Sequence, residues 1–459
     1  MFFQQFKVEG LGCLSYMLGC PLAGRAVVVD PKRDIGDYLD CAKTNKMKIT
    51  AIIETHVHAD HVSGAAELSY QTGAPIHLGA GSPVEYDFKP LNDGDEMVLG
   101  NVKIRFISTP GHTPNSVSLA VTDLSRGDFV EMLLTGDLLF VGSIGRPDLA
   151  GGELLEEQIK NAYNSLTVKL AEFPDYVEVY PAHGAGSLCG AGISAKPSST
   201  LGYERQTNLY LKLDFEAFRK ELTGTTPHRP INFSHIIQTN IRGARLLKEL
   251  PSISEYKPTT CKQFLAEDEK RKLIDLREAT AFGGAHIPKS LNIGLAPNSA
   301  TWIGNVVEPE NELLLLGNSR AEIEQATTMF RRVGYDDIRG YIIGLNSWIL
   351  EAEDTGFLPQ ITVHSLRKVL EKYGNHMVLD VRSPIEWEGG HIEGAVHIPL
   401  PELIKKEIDQ DHDQHISVIC MSGYRSNIGA SILKQRGYKN VYSVIGGMST
   451  WKAAGYPTV

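Results

Sequence analysis

Residues 55–61 read Thr-His-Val-His-Ala-Asp-His, and they follow the β-branched run Ile-Thr-Ala-Ile-Ile at 49–53. The run is typical of a buried strand, so the polar cluster is expected at the strand's end, facing a cleft. Packing does not explain so dense a set of metal-competent side chains. The stretch therefore predicts a metal site that includes His56, His58, Asp60 and His61.

Further candidate ligands follow singly, and each stands beside a glycine. They are His112 after Gly111, Asp137 after Gly136, and His183 before Gly184. Glycine lets the backbone and a ligand sit close together at the end of a strand. An isolated histidine is more often an ordinary hydrogen-bonded residue. The complete set reverses that preference and favours a metal.

Composition excludes several classes of function. The chain has 459 residues, more than one hydrophobic core usually supports, so several domains are expected. Its formal charge of −10 argues against a nucleic-acid or anionic-membrane partner. No stretch resembles a signal peptide or a membrane span, and six scattered cysteines do not form a disulfide framework. These features predict a soluble, cytoplasmic protein.

The second half of the chain contains an internal repeat. Residues 273–277 read Leu-Ile-Asp-Leu-Arg and residues 378–382 read Val-Leu-Asp-Val-Arg, an offset of 105 residues, and later matches continue at an offset of 103. In each copy apolar runs alternate with helical patterns, which predicts a parallel α/β sheet. The predicted domains are 1–256, 257–355 and 359–459.

Residues 419–426, Ile-Cys-Met-Ser-Gly-Tyr-Arg-Ser, lie between a predicted strand at 416–420 and a predicted helix at 427–436. Such a loop points backbone N–H groups inward and stabilises an anion. Cys420 is predicted to be a nucleophilic thiolate helped by Arg425. The predicted substrate-contacting residues of the loop are Met421, Ser422, Gly423, Tyr424 and Ser426. A buried structural cysteine is the alternative interpretation.

The first copy of the repeat lacks both of these groups. Gly317 stands at the position of Cys420, and Glu322 stands at that of Arg425. An acidic side chain repels an anionic substrate. The first copy is therefore predicted to be inactive, either as a spacer or as a docking surface.

With these motifs in view, residues 1–256 resemble the metallo-β-lactamase fold, whose signature is His-X-His-X-Asp-His followed by Gly-His, Asp and a final His. The resemblance implies a four-layer αββα sandwich with metal at one edge of its sheets. Residues 134–140 and 145–149, the latter Gly-Arg-Pro-Asp-Leu, resemble the persulfide dioxygenases more than the zinc β-lactamases. Thioester hydrolases such as hydroxyacylglutathione hydrolase share part of this pattern.

The two families imply different ligand sets. In a dioxygenase a single Fe(II) per chain takes His56, His112 and Asp137, and His58, Asp60, His61 and His183 support these ligands by hydrogen bonds. In a hydrolase two zinc ions are bound, one by His56, His58 and His112 and the other by Asp60, His61 and His183, with Asp137 bridging. Both families keep the same seven residues, so the sequence leaves the metal open.

The last domain resembles a rhodanese, a sulfurtransferase that carries sulfane sulfur as a cysteine persulfide. Residues 379–384 and 390–395 and the Cys420 loop carry the resemblance. Cysteine phosphatases also use Cys-X4-Arg, but their loops are typically one residue longer. The first copy then resembles an inactive rhodanese-like domain.

The function expected from these resemblances is iron-dependent oxidation of a low-molecular-weight persulfide by dioxygen to sulfite, coupled to sulfur transfer through Cys420 to or from sulfite or thiosulfate. Cys189, six residues after His183, is expected either to line the substrate channel or to be a packed thiol. Two alternatives stay open, a dinuclear zinc thioester hydrolase with a rhodanese appendage and a sulfur carrier or sensor without oxygenase activity. A homo-oligomer is expected.

Overall fold

The computed structural model describes residues 1–190, 192–224, 228–373 and 375–459, with the backbone alone at Ala150. The chain divides into two compact units. One is Met1–Leu250 with Arg331–Gly334, and the other is Pro251–Phe330 with Tyr335–Val459. Among the described helices, none has the length and apolar character needed to cross a membrane.

The first unit contains two six-stranded sheets. In the first sheet the spatial order follows the chain; β1, β2 and β3 are antiparallel neighbours, and β3 to β6 are parallel. Its strands are β1 (Phe2–Lys7), β2 (Leu14–Cys20), β3 (Arg25–Val29), β4 (Lys48–Ile53), β5 (Ile76–Gly79) and β6 (Lys89–Leu91).

The second sheet is mostly antiparallel, and only its pair β10 and β13 is parallel. The order across the sheet is β14, β13, β10, β9, β8, β7, and a separate hairpin pairs β11 with β12. The strands are β7 (Glu96–Leu99), β8 (Val102–Ser108), β9 (Val117–Asp123), β10 (Met132–Gly136), β11 (Leu139–Phe140), β12 (Ser143–Ile144), β13 (Glu178–Pro181) and β14 (Ser199–Thr200).

Side chains alternate between the two faces of each strand, and this alternation builds the layers. In β3, Val27 and Val29 join the core between the two sheets, whereas Ala26 and Val28 pack on the outer side of the first sheet. Helices cover both outer faces, which confirms the predicted αββα sandwich. The α-helices are α1 (Gly36–Thr44), α2 (Ala65–Thr72), α3 (Leu155–Asn164), α4 (Leu201–Thr207), α5 (Phe215–Gly224) and α6 (Phe233–Arg242).

One predicted element differs from the structure. The sequence pattern predicts a helix over 204–222, but α4 ends at Thr207, a 3-10 turn occupies Leu209–Leu211, and α5 begins at Phe215. The buried Asn208 causes the break, since its side-chain oxygen accepts from the Tyr210 N–H and its amide donates to the Ser143 carbonyl oxygen. Asparagine competes with the helical backbone in this way.

The second unit contains two five-stranded sheets in which every strand pair is parallel, as predicted. Their orders, β15-β19-β18-β16-β17 and β20-β24-β23-β21-β22, follow one plan. The strands are β15 (Ser254–Glu255), β16 (Arg271–Asp275), β17 (Leu291–Asn292), β18 (Glu312–Gly317), β19 (Ile338–Ile343), β20 (Gln360–Thr362), β21 (Met377–Asp380), β22 (Val396–His397), β23 (His415–Ile419) and β24 (Asn440–Ile445).

Helices alternate with these strands. They are α7 (Pro258–Glu267), α8 (Ala279–Gly284), α9 (Ser299–Val306), α10 (Arg320–Arg332), α11 (Asn346–Leu350), α12 (Val363–Lys372), α13 (Pro384–Glu388), α14 (Leu400–Leu403), α15 (Tyr424–Gln435) and α16 (Gly447–Ala453). Helix α15 begins three residues before the predicted start at 427.

The repeat extends to individual contacts. The buried Asp275–Arg277 ion pair of the first copy recurs as Asp380–Arg382 in the second. Each arginine also donates to a carbonyl oxygen eight residues further on. The boundaries 257–355 and 359–459 for the two copies stay a prediction.

Candidate metal centre and cysteine loop

The structure brings together the three side chains predicted as iron ligands. His56 follows β4, His112 follows β8, and Asp137 follows β10, and all three are buried. Their ligand atoms lie within 4.8 Å of one another. The Asp137 Oδ2 atom lies 3.8 Å from His56 Nε2 and 3.5 Å from His112 Nε2. We call these three residues the triad.

Neighbouring groups fix the tautomers of both triad histidines. The Thr55 hydroxyl donates to Asp30 Oδ2 at 2.9 Å, so its oxygen accepts from His56 Nδ1–H at 2.9 Å. His112 Nδ1–H donates to the Arg146 carbonyl oxygen at 2.9 Å. Each Nε2 atom therefore keeps a lone pair for a metal, because hydrogen bonding at one ring nitrogen decides the role of the other.

The donor atoms and charge states of the triad are suited to binding a metal ion. Among the described residues, the buried atoms His56 Nε2 and Asp137 Oδ2 have no hydrogen-bond partner. Burial lowers the pKa values of His56 and His112, which keeps both imidazoles neutral. Burial disfavours the Asp137 carboxylate, but the charge of the neighbouring His183 lowers its pKa well below the usual value. Two neutral imidazoles and one carboxylate are the ligand set of non-haem iron.

A second buried cluster consists of Cys13, Asp60, His61 and His183, and we call it the closed cluster. Asp60 accepts from the Cys13 thiol at 3.0 Å, from His183 Nε2 at 2.8 Å and from His61 Nδ1 at 3.2 Å. His183 Nδ1 also donates to Asp137 Oδ1 at 2.6 Å. Burial opposes the charge of His183, but Asp137 and Asp60 raise its pKa well above the usual value, so both ring nitrogens carry protons.

Spacing distinguishes the two clusters. Tetrahedral zinc holds nitrogen and oxygen donors about 3.3 Å apart and sulfur and oxygen donors about 3.6 Å apart. The contacts of Asp60 with His183 and Cys13 are shorter, at 2.8 and 3.0 Å, and are ordinary hydrogen-bond lengths. The triad atoms stand farther apart, at 3.5 and 3.8 Å. The triad donors are therefore not hydrogen-bonded to one another, whereas Asp60 is hydrogen-bonded within the closed cluster. Both clusters have metal-competent donors, and the His61 Nε2 atom of the closed cluster also has no partner among the described residues.

His58 faces a different pair of carboxylates. Its Nε2 atom lies 3.2 Å from Asp30 Oδ1 and 3.1 Å from Glu54 Oε2. Burial opposes its charge, but Asp30 and Glu54 raise the pKa of His58 well above the usual value. We call residues 55–61 the metal loop. His58 holds this loop in place through its contacts with Asp30 and Glu54, and its buried Nδ1 atom has no partner among the described residues.

Sequence reasoning missed Asp30, Thr55, Cys13 and Asn240. Asp30 directly follows β3 and has a left-handed backbone conformation (φ 51°). Its carboxylate accepts hydrogen bonds from both Thr55 and His58. Its position after a buried strand was the only available signal. Asn240 lies on α6, and no local pattern in the sequence connects it to the metal loop.

The Gly145-to-Leu149 segment packs against the triad. A Cβ atom at Gly145 would lie 1.8 Å from the Asp137 carbonyl oxygen, so only glycine fits. The Arg146 guanidinium pairs with Asp148 at 2.6 Å and also donates to the Leu188 carbonyl oxygen at 3.2 Å. Arg146 thus ties this segment to the loop after His183.

Cys189 is completely buried beside Asp137 and His183. Burial raises the pKa of its thiol well above the usual value. It packs against Ala59, Phe140 and Leu149. These surroundings are typical of a packed thiol, and a channel-lining role stays a prediction.

In the second unit, Cys420 follows β23, and the loop to α15 curls around its sulfur. The Gly423 N–H donates to Cys420 Sγ at 3.1 Å, and Gly423 has φ 113°, a conformation that favours glycine. The Ser426 hydroxyl donates to the Gly423 carbonyl oxygen at 2.8 Å and fixes the turn. The tyrosine of the loop, Tyr424, donates to the Gly294 carbonyl oxygen at 2.7 Å.

Arg425 is engaged in an ion pair. Its two terminal nitrogens donate to the two carboxylate oxygens of Glu386 at 2.6 and 2.7 Å. Burial would raise the pKa of Glu386, but Arg425 and the Ser383 N–H hold it at about 2. Arg425 therefore braces the loop against α13, and direct contact with a substrate anion stays a prediction, as it does for Met421 and Ser422.

The equivalent loop of the first copy is closed by an acidic residue. Glu322, which corresponds to Arg425 in the repeat, accepts from the Asn318 N–H at 2.8 Å through its Oε2 atom. Gly317 supplies no nucleophile. The inactivity of this copy stays a prediction.

Comparison with known proteins identifies both parts of the chain. The Metallo-beta-lactamase superfamily profile matches residues 8–183, and the Rhodanese-like domain profile matches residues 258–351 and 362–454. A crystal structure of a metallo-beta-lactamase from Staphylococcus aureus is 32% identical with a TM-score of 0.67, and the match covers 74% of this chain and 98% of that one.

Two curated relatives match about half of the chain. The mitochondrial persulfide dioxygenase ETHE1 of Mus musculus is 28% identical over 230 residues, 50% of this chain and 83% of the relative. An uncharacterized protein of Mycobacterium leprae is 30% identical over 233 residues, 45% of this chain and 97% of the relative. The predicted fusion is confirmed. The chain belongs to the metallo-β-lactamase superfamily and carries two rhodanese-like domains after its metallo-β-lactamase domain.

Proposed function

We propose that the chain is an iron-dependent persulfide dioxygenase coupled to a sulfurtransferase. In the proposed reaction a persulfide R–S–SH, dioxygen and water give the thiol R–SH, sulfite and two protons. The observation that carries the proposal is the open triad beside the closed cluster, which favours one metal ion per chain. His56, His112 and Asp137 would hold Fe(II), which would supply the redox chemistry for the reaction of dioxygen with the persulfide sulfur. The ETHE1 relative supports the choice of substrate.

Neighbouring residues of the protein hold the side chains of the predicted metal ligands in a fixed orientation. Thr55 and the Arg146 carbonyl oxygen hold the imidazoles of His56 and His112, so neither ring must reorganise when substrate arrives. His112 lines a mostly apolar cavity in which the carrier of the persulfide would lie. Holding both reactants in one site removes much of the entropic barrier to their reaction.

The Cys420 loop supports the second activity. The Cys420 thiolate attacks the outer sulfur of a persulfide, the S–S bond breaks, R–SH leaves with the proton, and Cys420 carries the sulfur as its own persulfide. Sulfite then accepts that sulfur to give thiosulfate and restores the thiolate. The reverse direction from thiosulfate uses the same steps. The Gly423 N–H stabilises negative charge on the sulfur.

One alternative function, a zinc hydrolase, depends on the residues of the closed cluster. If it opened to bind a second metal, the domain would match a dinuclear zinc thioester hydrolase. Under a further alternative, a sulfur carrier or sensor without oxygenase activity, Cys420 would hold a persulfide and metal removal would leave the activity of the protein unchanged. A cytoplasmic location and a homo-oligomer stay predictions.

The test combines metal analysis of anaerobically purified protein with oxygen uptake on a persulfide. One iron per chain and stoichiometric sulfite support the proposal. His112→Ala should lose the iron, whereas Cys420→Ser should keep oxygen uptake and lose thiosulfate formation. Two zinc ions with thioester cleavage would favour the hydrolase, and an iron-loaded enzyme that consumes no oxygen with any persulfide would exclude the dioxygenase.

A further inference from the structure

A cavity of about 340 Å³ in the first unit reaches the triad, because His112 is one of its lining residues. Its walls are mostly apolar and include Leu149, Leu154, Ile237 and Ile241. Among the described lining residues, Arg229 is the one that carries a full charge, and none is acidic. The cavity is therefore an apolar cleft with one cationic side chain.

Helix α6 holds one wall of this cleft in a fixed position relative to the metal loop. Ile237 and Ile241, four residues apart, place one face of α6 on the cavity. On the same helix, the Asn240 side-chain amide donates to the carbonyl oxygens of His58 and His61, both at 2.9 Å. Its oxygen accepts from the Ser63 N–H at 2.9 Å. Asn240 thereby fastens α6 to the loop that presents the metal ligands.

Arg229 stands just before α6 and is half-buried. Its guanidinium donates to the Ser234 hydroxyl at 3.4 Å, a long contact, and no described carboxylate forms an ion pair with it. The nearby Arg146 is different, since Asp148 compensates its charge. A cation without a carboxylate partner beside an apolar cleft attracts an anionic ligand, and a guanidinium matches carboxylate and phosphate oxygens in pairs.

We infer that Arg229 binds an anionic group on the carrier of the persulfide, a carboxylate or a phosphate ester. This inference rests on the proposed function for the identity of the substrate, but it concerns the recognition of the carrier. In this arrangement the sulfur lies at the triad and the apolar walls contact the carbon chain of the carrier. Arg229 pairs with the anionic group of the carrier. Neutral thiol carriers are then poorer ligands than anionic carriers of the same length.

The test measures binding of product thiols to the iron-loaded protein under anaerobic conditions by calorimetry. Three probes of similar size separate the possibilities, namely 3-mercaptopropionate, 2-mercaptoethyl phosphate and the neutral 3-mercaptopropionamide. We expect the anionic probes to bind about tenfold more tightly than the amide, the range of a charge-assisted hydrogen bond at a partly exposed site. The tighter of the two anionic probes assigns the group as carboxylate or phosphate.

Arg229→Gln should remove this preference and leave the affinity for 3-mercaptopropionamide unchanged, and Arg229→Lys should restore part of it. The matched control is Arg242→Gln, which removes a cation from the exposed end of α6, outside the cavity lining. Equal binding of all three probes by the wild-type protein overturns the inference, and so does an equal loss for all three probes in Arg229→Gln. Because thiol binding needs no turnover, a preference without oxygen uptake would refute the dioxygenase and leave this role of Arg229 standing.

Discussion

Replacing Thr55 by valine tests how the fold prepares His56 for a metal. The Thr55 side chain is 1% exposed, and its hydroxyl connects His56 Nδ1 to Asp30 through two contacts of 2.9 Å. Valine keeps nearly the same shape but turns a methyl group toward Nδ1–H. Leaving a buried donor unsatisfied costs about 1–3 kcal/mol. Losing a group that orients a metal ligand typically lowers affinity by about 10–100-fold, or about 1.4–2.8 kcal/mol. The two estimates of the free-energy cost, from the unsatisfied donor and from the lost orientation of the ligand, fall in the same range.

The assay is an anaerobic competition titration of the metal-free protein against a chromophoric Fe(II) chelator. We expect Thr55→Val to weaken binding by about 10–100-fold. The control is Thr50→Val on β4, whose hydroxyl donates to the Ala26 carbonyl oxygen at 3.3 Å and contacts no histidine. Thr55→Val binding within about threefold of wild type, or an equal loss in Thr50→Val, would refute the argument that this hydroxyl sets the tautomer.

Three other side-chain contacts, those of Cys13, Glu386 and Tyr424, also give testable predictions. Cys13→Ala removes a thiol donor to Asp60 at 3.0 Å, so we expect zinc uptake by mass spectrometry to rise from one ion per chain to two; an unchanged count would mean that Cys13 does not keep the cluster closed. Glu386→Gln should destabilise the fold at neutral pH by about 1–2 kcal/mol after allowance for partial exposure. Because the folded pKa of about 2 is below the usual 4.5, this stability is present above pH 4.5 and lost as pH falls toward 2, so wild-type and variant denaturation midpoints should converge there. Tyr424→Phe removes the hydrogen bond to Gly294 and should lower the rate of sulfur transfer through Cys420 severalfold with oxygen uptake unchanged. The control is Tyr373→Phe, because Tyr373 is exposed, and equal rates for wild type and Tyr424→Phe would show that the bond is dispensable.

The layers of the first unit were expected from the resemblance to the metallo-β-lactamase fold, and local periodicity alone does not give them. Val27 and Val29 face one side of the sheet and Ala26 and Val28 the other, but all four are apolar and buried, so the pattern of β3 does not distinguish its inner face from its outer face. The predicted helix over 204–222 is wrong because a long-range contact interrupts it. Asn208 is turned out of the helical pattern by the distant Ser143 carbonyl oxygen, which no local window contains.

The sequence by itself determined the chemistry that is available. It singles out the seven metal-competent residues, Cys420 as the predicted nucleophile and the absence of a cysteine at Gly317 in the first copy, because residue type and spacing within a motif are local properties. Only the tertiary structure shows which of these groups contact one another. It separated an open triad from a closed cluster through Cys13, which lies 47 residues from Asp60, and it paired Arg425 with Glu386. These contacts join side chains that are distant in the sequence, so no local window of the sequence contains them, and only the folded chain brings them together.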